Sequence, residues 1–257
     1  RRQPTWLPCW RRCAVGEVYV PDWAAPANVK ALQTTRNGGA SRMPWASFNL
    51  GDHVGDDPAA VAANRQALRA ALPGEPRWLR QVHGIVAVDA GQEANSDAAD
   101  AAFARRPGAV CAVMTADCLP VLLCDRRGSV VAAAHAGWRG LLGGVLESAV
   151  AAMAVAPGEL LAWLGPAIGP RCFEVGTEVR DAFVARDASA SAAFVAAGQD
   201  KWLCDIYLLA RQRLGQSGVS AISGGGACTF SESARYFSYR RDRTTGRMAS
   251  LIWLDSV

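Results

Sequence analysis

Three side chains that can bind a soft divalent metal stand at the ends of apolar segments. His83 lies in Gln-Val-His-Gly, Cys118 in Thr-Ala-Asp-Cys-Leu-Pro and His135 in Ala-His-Ala-Gly-Trp-Arg-Gly, in a chain with only three histidines. Imidazole and thiolate are ligands that suit zinc, and two histidines with one cysteine leave a fourth tetrahedral position open for chemistry. The spacings of 35 and 17 residues match no local metal motif, so the fold must bring the three together.

Each of these residues also has an ordinary structural explanation. A cysteine beside an apolar run is usually a small buried hydrophobe, and a histidine before glycine is often a turn residue. A shared site is favoured because each residue lies where an apolar stretch meets glycine or a turn, and strand ends present side chains to clefts there. The spacing alone leaves open both a metal site and a site built around a Cys118 nucleophile.

Short apolar runs predict the strands that carry these residues. Residues 109–114, 119–124 and 130–135 are separated by turn signals, as expected for buried central strands, so Cys118 and His135 fall at strand ends. A helical pattern follows at 137–155 despite Gly143 and Gly144, whose lack of side chains would let the helix pack closely on the sheet. The other predicted strands are 29–35, 77–82, 85–89, 159–164, 202–205, 219–223 and 247–254, and the other predicted helices are 57–72, 177–186 and 205–214.

The composition predicts one compact domain. The chain has 257 residues, of which 51% are hydrophobic and 19% charged, which suffices for a large buried core. We expect a single layered α+β or mixed α/β domain with central apolar strands over residues 28–257. Residues 1–27 are expected to be an N-terminal segment with the first strand and not a separate domain. Eight cysteines are far fewer than a disulfide scaffold of this length would contain, which predicts reduced thiols and a cytoplasmic protein.

No segment of the sequence predicts export or membrane insertion. The arginine-rich N-terminus lacks the apolar run of a secretory signal, and Cys9 and Cys13 have no further ligands nearby to form a metal site. The most apolar stretch, 130–146, is broken by His135, Arg139 and glycines, so it cannot be a membrane span. We therefore expect a soluble protein with no membrane partner.

Arginine dominates the positive charge of the chain. The net charge of +4 is mild and does not predict a nucleic-acid partner. Arginine suits planar, bidentate recognition of phosphate. A C-terminal cluster of basic and aromatic residues could hold phosphate and stack bases, or could equally be a solvated edge strand. Its members are Arg235, Tyr236, Phe237, Tyr239, Arg240, Arg241, Arg243 and Arg247.

Together these motifs resemble the laccase-domain (YfiH-like) family, from about residue 28 to the C-terminus. The one departure from the family pattern is Ala40, where a larger apolar residue is expected, and it bears only on packing. Besides the three metal-ligand motifs, further family motifs occur in the family's order. They are Thr34-Thr35-Arg36-Asn37-Gly38-Gly39, Asn49-Leu50-Gly51 with Val54-Gly55-Asp56, and Phe237-Ser238-Tyr239-Arg240-Arg241.

The resemblance implies a zinc-containing purine nucleoside phosphorylase that also deaminates adenosine, from a family long labelled polyphenol oxidase or multicopper laccase. Its metal ligands carry over onto His83, Cys118 and His135. The expected substrates are phosphate and a purine nucleoside, namely adenosine, inosine or methylthioadenosine, and the expected metal is zinc, with copper as the alternative.

Within that expectation, further residues are candidates for roles beside the metal. Asp117 is the carboxylate nearest to Cys118 in sequence, so it is a candidate proton shuttle, although it could equally cap the turn before Cys118. Arg36, Arg139 and Arg241 are the candidates for contact with phosphate.

Two other functions would use the same residues. Cys118 activated by His135 or His83 would give a cysteine hydrolase or amidase without a metal. In a copper oxidase of phenols, a blue-copper site would already consume both of those histidines. Only His53 would remain for more copper ions, so a multicopper laccase is chemically implausible. His53 lies in a polar loop and is predicted to stay outside the metal site.

Overall fold

Two β-sheets packed face to face form the centre of the protein. The computed structural model describes residues 16–92 and 98–256, so the interpretation of Cys9 and Cys13 lies outside the described residues. Five strands form the first sheet, side by side in this order: β1 (Val18–Tyr19), β2 (Val29–Thr34), β14 (Met248–Leu254), β6 (Val110–Thr115) and β3 (Pro76–Arg77).

The second sheet carries most of the residues singled out above. Its six strands lie in this order: β13 (Ala221–Gly224), β9 (Leu160–Leu164), β7 (Leu119–Asp125), β8 (Val131–Ala136), β5 (Ala101–Ala104) and β4 (Ala87–Asp89). A smaller three-stranded sheet consists of β10 (Glu174–Gly176), β12 (Lys201–Cys204) and β11 (Phe194–Gly198).

Helices pack on the outer faces of both large sheets, and one packs on the small sheet. The helices of the described residues are α1 (Pro58–Arg69), α2 (Trp138–Gly143), α3 (Val145–Ala152), α4 (Thr177–Arg186), α5 (Ile206–Gln216) and α6 (Tyr239–Asp242), with 3-10 turns at Pro157–Glu159 and Ala188–Ala193. Leu68 of α1 packs on the first sheet, whereas Leu146 of α3 and Leu209 of α5 pack on the second. Within residues 16–92 and 98–256, no helix has the length and apolar character needed to cross a bilayer.

Alternation of side chains along the strands divides the core into layers. In β7, Val121 and Leu123 face the helices, while Leu122 and Cys124 face the first sheet. There they meet apolar side chains such as Val113 of β6. A strand buried on both faces must be apolar at every position, which explains the continuous apolar runs in the sequence.

The predicted mixed α/β fold is confirmed, and most predicted elements agree with the structure within one or two residues. The strand predicted at 77–82 is wrong beyond Arg77, because Gln81 turns onto the end of β6, where its side chain donates to Met114 O (2.8 Å) and accepts from Met114 N–H (2.7 Å). The helix predicted at 137–155 breaks at Gly144, whose φ of +113° is left-handed and separates α2 from α3. Strands β5, β10 and β11 were not predicted.

Candidate metal centre

His83, Cys118 and His135 converge at one end of the two packed sheets. Their ligand atoms all lie within 4.8 Å of one another, and Cys118 Sγ is 3.7 Å from His83 Nε2. The two imidazole rings meet edge to face, with centroids 4.8 Å apart. His135 is buried, Cys118 is half-buried and His83 is exposed, so the group is reached from the His83 side.

The register of two antiparallel strands places Cys118 beside His135. Residues 116–118 carry the chain from β6 in the first sheet to β7 in the second. In β7, Pro120 is directly opposite His135 of β8. Opposed residues in an antiparallel pair share a face, and so do residues two apart along a strand. Cys118 and His135 therefore both point toward the first sheet at the end of the pair.

Asp100 holds the ring of His135. Strand β5 pairs with β8 so that Ala101 is opposite Ala134, and the preceding Asp100 accepts the His135 backbone N–H through its carbonyl (2.7 Å). The fully buried Asp100 carboxylate lies with Oδ1 2.8 Å from His135 Nδ1. This contact leaves Nε2 of His135 for the shared site, an arrangement that orients histidine ligands in many metal centres.

The same carboxylate fixes the loop that carries His83. Asp100 accepts the backbone N–H groups of Val82 (3.2 Å), His83 (2.9 Å) and Gly84 (2.6 Å). His83 has a φ of +58°, in the left-handed region that residues with a Cβ rarely adopt. Three hydrogen bonds to one buried carboxylate offset the cost of that conformation, so Asp100 positions both histidines at once.

Glycine at position 137 leaves the space in which the three donors meet. A Cβ at Gly137 would lie 2.6 Å from His83 Cδ2 and 3.1 Å from Cys118 Sγ. A Cβ at Gly140 would lie 2.9 Å from the Gly84 carbonyl oxygen. Two imidazole nitrogens on residues that Asp100 positions, together with one sulfur, are not crowded by a side chain at 137, and this donor set fits a soft divalent metal such as zinc or copper.

The electrostatics of the group favour a thiolate. Burial alone raises the pKa of the Cys118 thiol, but the charge and hydrogen bonds of His135 and His83 outweigh it and hold the pKa below its usual range. Burial lowers the pKa of His135, yet Cys118 and Asp100 together raise it. A thiolate is the form of cysteine that binds metal or acts as a nucleophile.

Asp117, the candidate proton shuttle, is engaged in structural contacts. Its Oδ1 accepts the Thr229 hydroxyl (2.6 Å), and its Oδ2 accepts the Arg240 backbone N–H (2.6 Å). Its carbonyl accepts the Ile168 N–H (2.9 Å). The φ of Asp117 is +92°, which these bonds stabilise. Its contacts are those expected of the alternative role, a residue that holds the turn before Cys118.

Arg36 directs its guanidinium at backbone carbonyls. Nε and Nη2 donate to Ala46 O (3.2 and 3.0 Å), and Nη1 donates to Ser233 O (3.0 Å). The guanidinium also lies over the Phe237 ring, 4.9 Å from its centroid. These contacts join the segment between β2 and α1 to the C-terminal segment and leave few donors for an anion.

Arg241 and Arg139 differ from each other in exposure. Arg241 donates from Nη1 to Thr229 O (2.7 Å) and Phe230 O (2.9 Å) and is paired with Asp242. Arg139 is exposed and stacks on Trp138, 4.4 Å from a ring centroid. Of the three arginines considered for phosphate, Arg139 has the fewest backbone contacts and stands two residues from Gly137.

Arg247 is a residue near the site that the sequence did not single out from its cluster. Burial lowers its pKa, and the charges of Cys118 and Asp117 act in the opposite direction. Its Nη1 donates to the carbonyl oxygens of Thr245 (3.0 Å) and Gly246 (3.1 Å). Asn49 Oδ1 accepts the Arg247 N–H (2.8 Å), and a Cβ at Gly51 would lie 2.8 Å from Arg247 Cγ. The Asn49-Leu50-Gly51 motif thus positions Arg247.

His53 lies outside the group of three. Its side chain is 57% exposed and 3.4 Å from Asp52 Oδ1, and it lines a cleft with Arg65 and Trp78. The structure also adds Asp100 and Gly137 to the residues that build the site. The sequence signal for Asp100 is a single carboxylate inside the alanine-rich run 98–104.

The fold and the site together define the family. The family described as multi-copper polyphenol oxidoreductase laccase matches residues 30–255. The chain belongs to this family, and it is an enzyme.

Relatives and solved structures agree with this assignment. The chain is 58% identical over 235 residues to "Purine nucleoside phosphorylase PA4543" of Pseudomonas aeruginosa, covering 91% of this chain and 97% of the relative. It is 58% identical over 243 residues to "Purine nucleoside phosphorylase YfiH" of Escherichia coli, covering 93% and 100%. The crystal structure of Neisseria meningitidis protein NMB0706 superposes with a TM-score of 0.89 at 52% identity, covering 93% and 99%.

Proposed function

We propose that this enzyme is a purine nucleoside phosphorylase whose active site is the group formed by His83, Cys118 and His135. The observation that carries the proposal is the convergence of these three donors around the space left by Gly137. Two relatives that are 58% identical over more than nine-tenths of the chain carry that activity in their names. The reaction would transfer the ribosyl group of a purine nucleoside to phosphate.

The three donors would hold a zinc ion. Zinc in such a site supplies Lewis-acid stabilisation of charge that develops on an oxygen of the substrate or of water. Asp100 keeps His83 and His135 aimed at the site, because the same carboxylate bonds the His83 loop and the His135 ring. The exposed side of His83 leaves room for a nucleoside to approach.

Phosphate needs an anion site of its own, and Arg247 is the candidate we favour. Its side chain is half-buried, and the charges of Cys118 and Asp117 act on its pKa against the effect of burial. Among the described residues, only its Nη1 donates to backbone carbonyls, those of Thr245 (3.0 Å) and Gly246 (3.1 Å). A guanidinium in a partly desolvated position binds phosphate more strongly than one in open water, and it can present two parallel N–H donors. Arg139 is the second candidate because it is exposed and near Gly137, whereas Arg36 and Arg241 are largely occupied by backbone carbonyls.

Deamination of adenosine is the second activity we assign to this site. It would use the same metal and the same nucleoside but would need water in place of phosphate. The shared donors His83, Cys118 and His135 would therefore serve both reactions, while the phosphate contact would serve one. Adenosine, inosine and methylthioadenosine are the substrates to examine first.

A cysteine hydrolase is the alternative that one specific observation supports. Cys118, His135 and Asp100 form a chain of thiol, imidazole and carboxylate, and the two neighbouring histidines hold the pKa of Cys118 below its usual range. That order of groups is the one used to activate a nucleophile. Metal-free protein that hydrolyses an amide and is inhibited by thiol alkylation would establish this alternative in place of the metal enzyme.

One assay tests the proposed function directly. Purified protein is incubated with adenosine, with and without phosphate, and adenine, hypoxanthine and inosine are resolved by chromatography. Adenine that forms only with phosphate shows phosphorolysis, and inosine that forms without phosphate shows deamination. Absence of both products from zinc-loaded protein would contradict the proposal.

A further inference from the structure

A pair of neighbouring thiols, Cys172 and Cys228, lies outside the metal group. The Ser231 hydroxyl is 3.4 Å from Cys172 Sγ and 3.4 Å from Cys228 Sγ. Cys172 follows the turn at Gly169, whose carbonyl accepts the Cys172 N–H (2.9 Å). Cys228 forms an isolated β-bridge with Ala167, which lies just before that turn in the sequence. Two segments far apart in sequence thus bring their sulfurs to one hydroxyl.

This pair differs from the thiols of the core in being accessible. Cys172 and Cys228 are both half-buried and line one cavity of roughly 570 Å³. By contrast, Cys111, Cys124 and Cys204 are fully buried, and burial raises the pKa of each. A small oxidant in solution can reach the pair but not the core thiols.

The surroundings of Cys228 favour its thiolate. The Gly169 N–H donates to Cys228 Sγ (3.3 Å), and the Ser231 hydroxyl donates to the same sulfur. Burial raises the pKa of Cys228, but these donors, together with the Cys172 thiol, outweigh it and lower the pKa. A Cβ at position 169 would lie 3.0 Å from Cys228 Cβ and 3.1 Å from its Sγ, so a larger residue there would crowd this cysteine. Cys228 is therefore the nucleophile of the pair.

We propose that Cys172 and Cys228 form a reversible intramolecular disulfide in the presence of a hydroperoxide. The Cys228 thiolate attacks one peroxide oxygen, the O–O bond breaks, and a sulfenic acid and hydroxide form. Cys172 then attacks the Cys228 sulfur, the S–S bond forms, and the S–O bond breaks with loss of the sulfenic oxygen as hydroxide. The two protons that Cys228 and Cys172 release convert the two hydroxide ions to water. Two electrons from the two thiols reduce one hydrogen peroxide to two waters. A dithiol reductant returns both cysteines to the thiol form.

The pair lies next to the segments that hold the turn before Cys118. Thr229, which follows Cys228, donates its hydroxyl to Asp117 Oδ1 (2.6 Å), and Ile168 donates its N–H to the Asp117 carbonyl (2.9 Å). A disulfide would join residues 169–172 to residues 228–229 covalently. The proposal concerns the modification itself and does not rest on the nucleoside reaction.

The test maps the bond by mass spectrometry. The full chain as purified is treated with a small molar excess of hydrogen peroxide, unfolded, alkylated and digested without reduction. We expect a cross-linked pair of peptides carrying Cys172 and Cys228, lighter by two hydrogens than the two thiol peptides and absent after treatment with dithiothreitol. Cys204 should be recovered fully alkylated in the same digest. Recovery of Cys172 and Cys228 as free thiols, while peroxide is consumed at Cys118, would overturn the proposal.

Two variants sharpen the result. In Cys172→Ser the second step cannot occur, so Cys228 should accumulate as a sulfenic acid that dimedone labels. In Cys204→Ala, the matched control at a core thiol, the cross-link should form to the same extent as in the parent chain. A chain with Cys172→Ser in which dimedone labels Cys118 but not Cys228 would contradict the assignment of Cys228 as the first thiol to react.

Discussion

The metal-ligand group and the pair Arg36 and Arg241 differ in where their polar atoms are directed. The donor atoms of His83, Cys118 and His135 meet in one space, with Asp100 behind them. The guanidinium groups of Arg36 and Arg241 are instead surrounded by backbone carbonyls of their own neighbourhood. Residues with suitable chemistry become a site only where the fold leaves their polar atoms uncommitted, and substitutions at both kinds of residue test that difference.

The largest effect is expected from the loss of the thiolate ligand. Cys118→Ala should abolish phosphorolysis and deamination together, by on the order of a thousandfold or more, because several kcal/mol of charge stabilisation are lost with the metal. Steady-state rates for both reactions measure this. Loss of one activity with full retention of the other would show that the two reactions do not share the site.

Removal of the carboxylate behind the histidines should come next in size. Asp100→Asn keeps the shape of the side chain but weakens the acceptors of the His135 ring and of the His83 loop, so zinc affinity should fall by about 10 to 100-fold. A competition titration with a chelator measures it. The matched control is Asp125→Asn at the opposite end of β7, where a buried carboxylate accepts from Ser129 and Val130. Equal losses of zinc affinity in the two variants would show that Asp100 acts only through stability.

If Arg247 contacts phosphate, its substitution should affect phosphorolysis and deamination differently. Arg247→Ala should lose one charge-assisted contact of about 1.5 to 3 kcal/mol, a ten to hundredfold loss in phosphorolysis with little change in deamination. Arg241→Ala should instead lower the melting temperature and affect both rates alike, because all three of its guanidinium nitrogens contact backbone carbonyls or Asp242. In Arg247, by contrast, only Nη1 donates to carbonyls of the described residues. The KM for phosphate in the two variants decides between the roles. A phosphate KM that rises in Arg241→Ala and not in Arg247→Ala would reverse the assignment.

The smallest effect is expected at His53. His53→Ala should leave zinc content and both rates unchanged, because its side chain faces solvent beside Asp52. His83→Ala is the paired variant and should lose most of its zinc. If zinc content fell as far in His53→Ala as in His83→Ala, the separation between the loop histidine and the metal group would be wrong.

The sequence predicts the strands well because most of them are buried on both faces. Residues 109–114 and 119–124 are apolar at nearly every position, and β6 and β7 lie within a residue of these bounds. The early end of β3 at Arg77 and the break at Gly144 were not predicted, because they depend on the Gln81 contact with β6 and on a single left-handed residue.

Of the site, the sequence predicts which side chains meet but not what supports them. Residue type and position at strand ends indicated His83, Cys118 and His135. The role of Asp100 depends on the pairing of β5 with β8. Strand β5 was not predicted, because the alanine-rich run 98–104 carries no clear strand pattern. The engagement of Arg36 by Ala46 and Ser233 is likewise a property of tertiary structure, and residue type alone carries no sign of it.

The most direct test of the account is the metal content of the purified protein. Elemental analysis should find about one zinc per chain in the parent protein, with little copper, and almost none in Cys118→Ala prepared in parallel. Because the measurement needs no substrate, it tests the metal centre apart from the reaction assigned to it. A parent protein that is free of metal and still cleaves adenosine with phosphate at an undiminished rate would contradict the account.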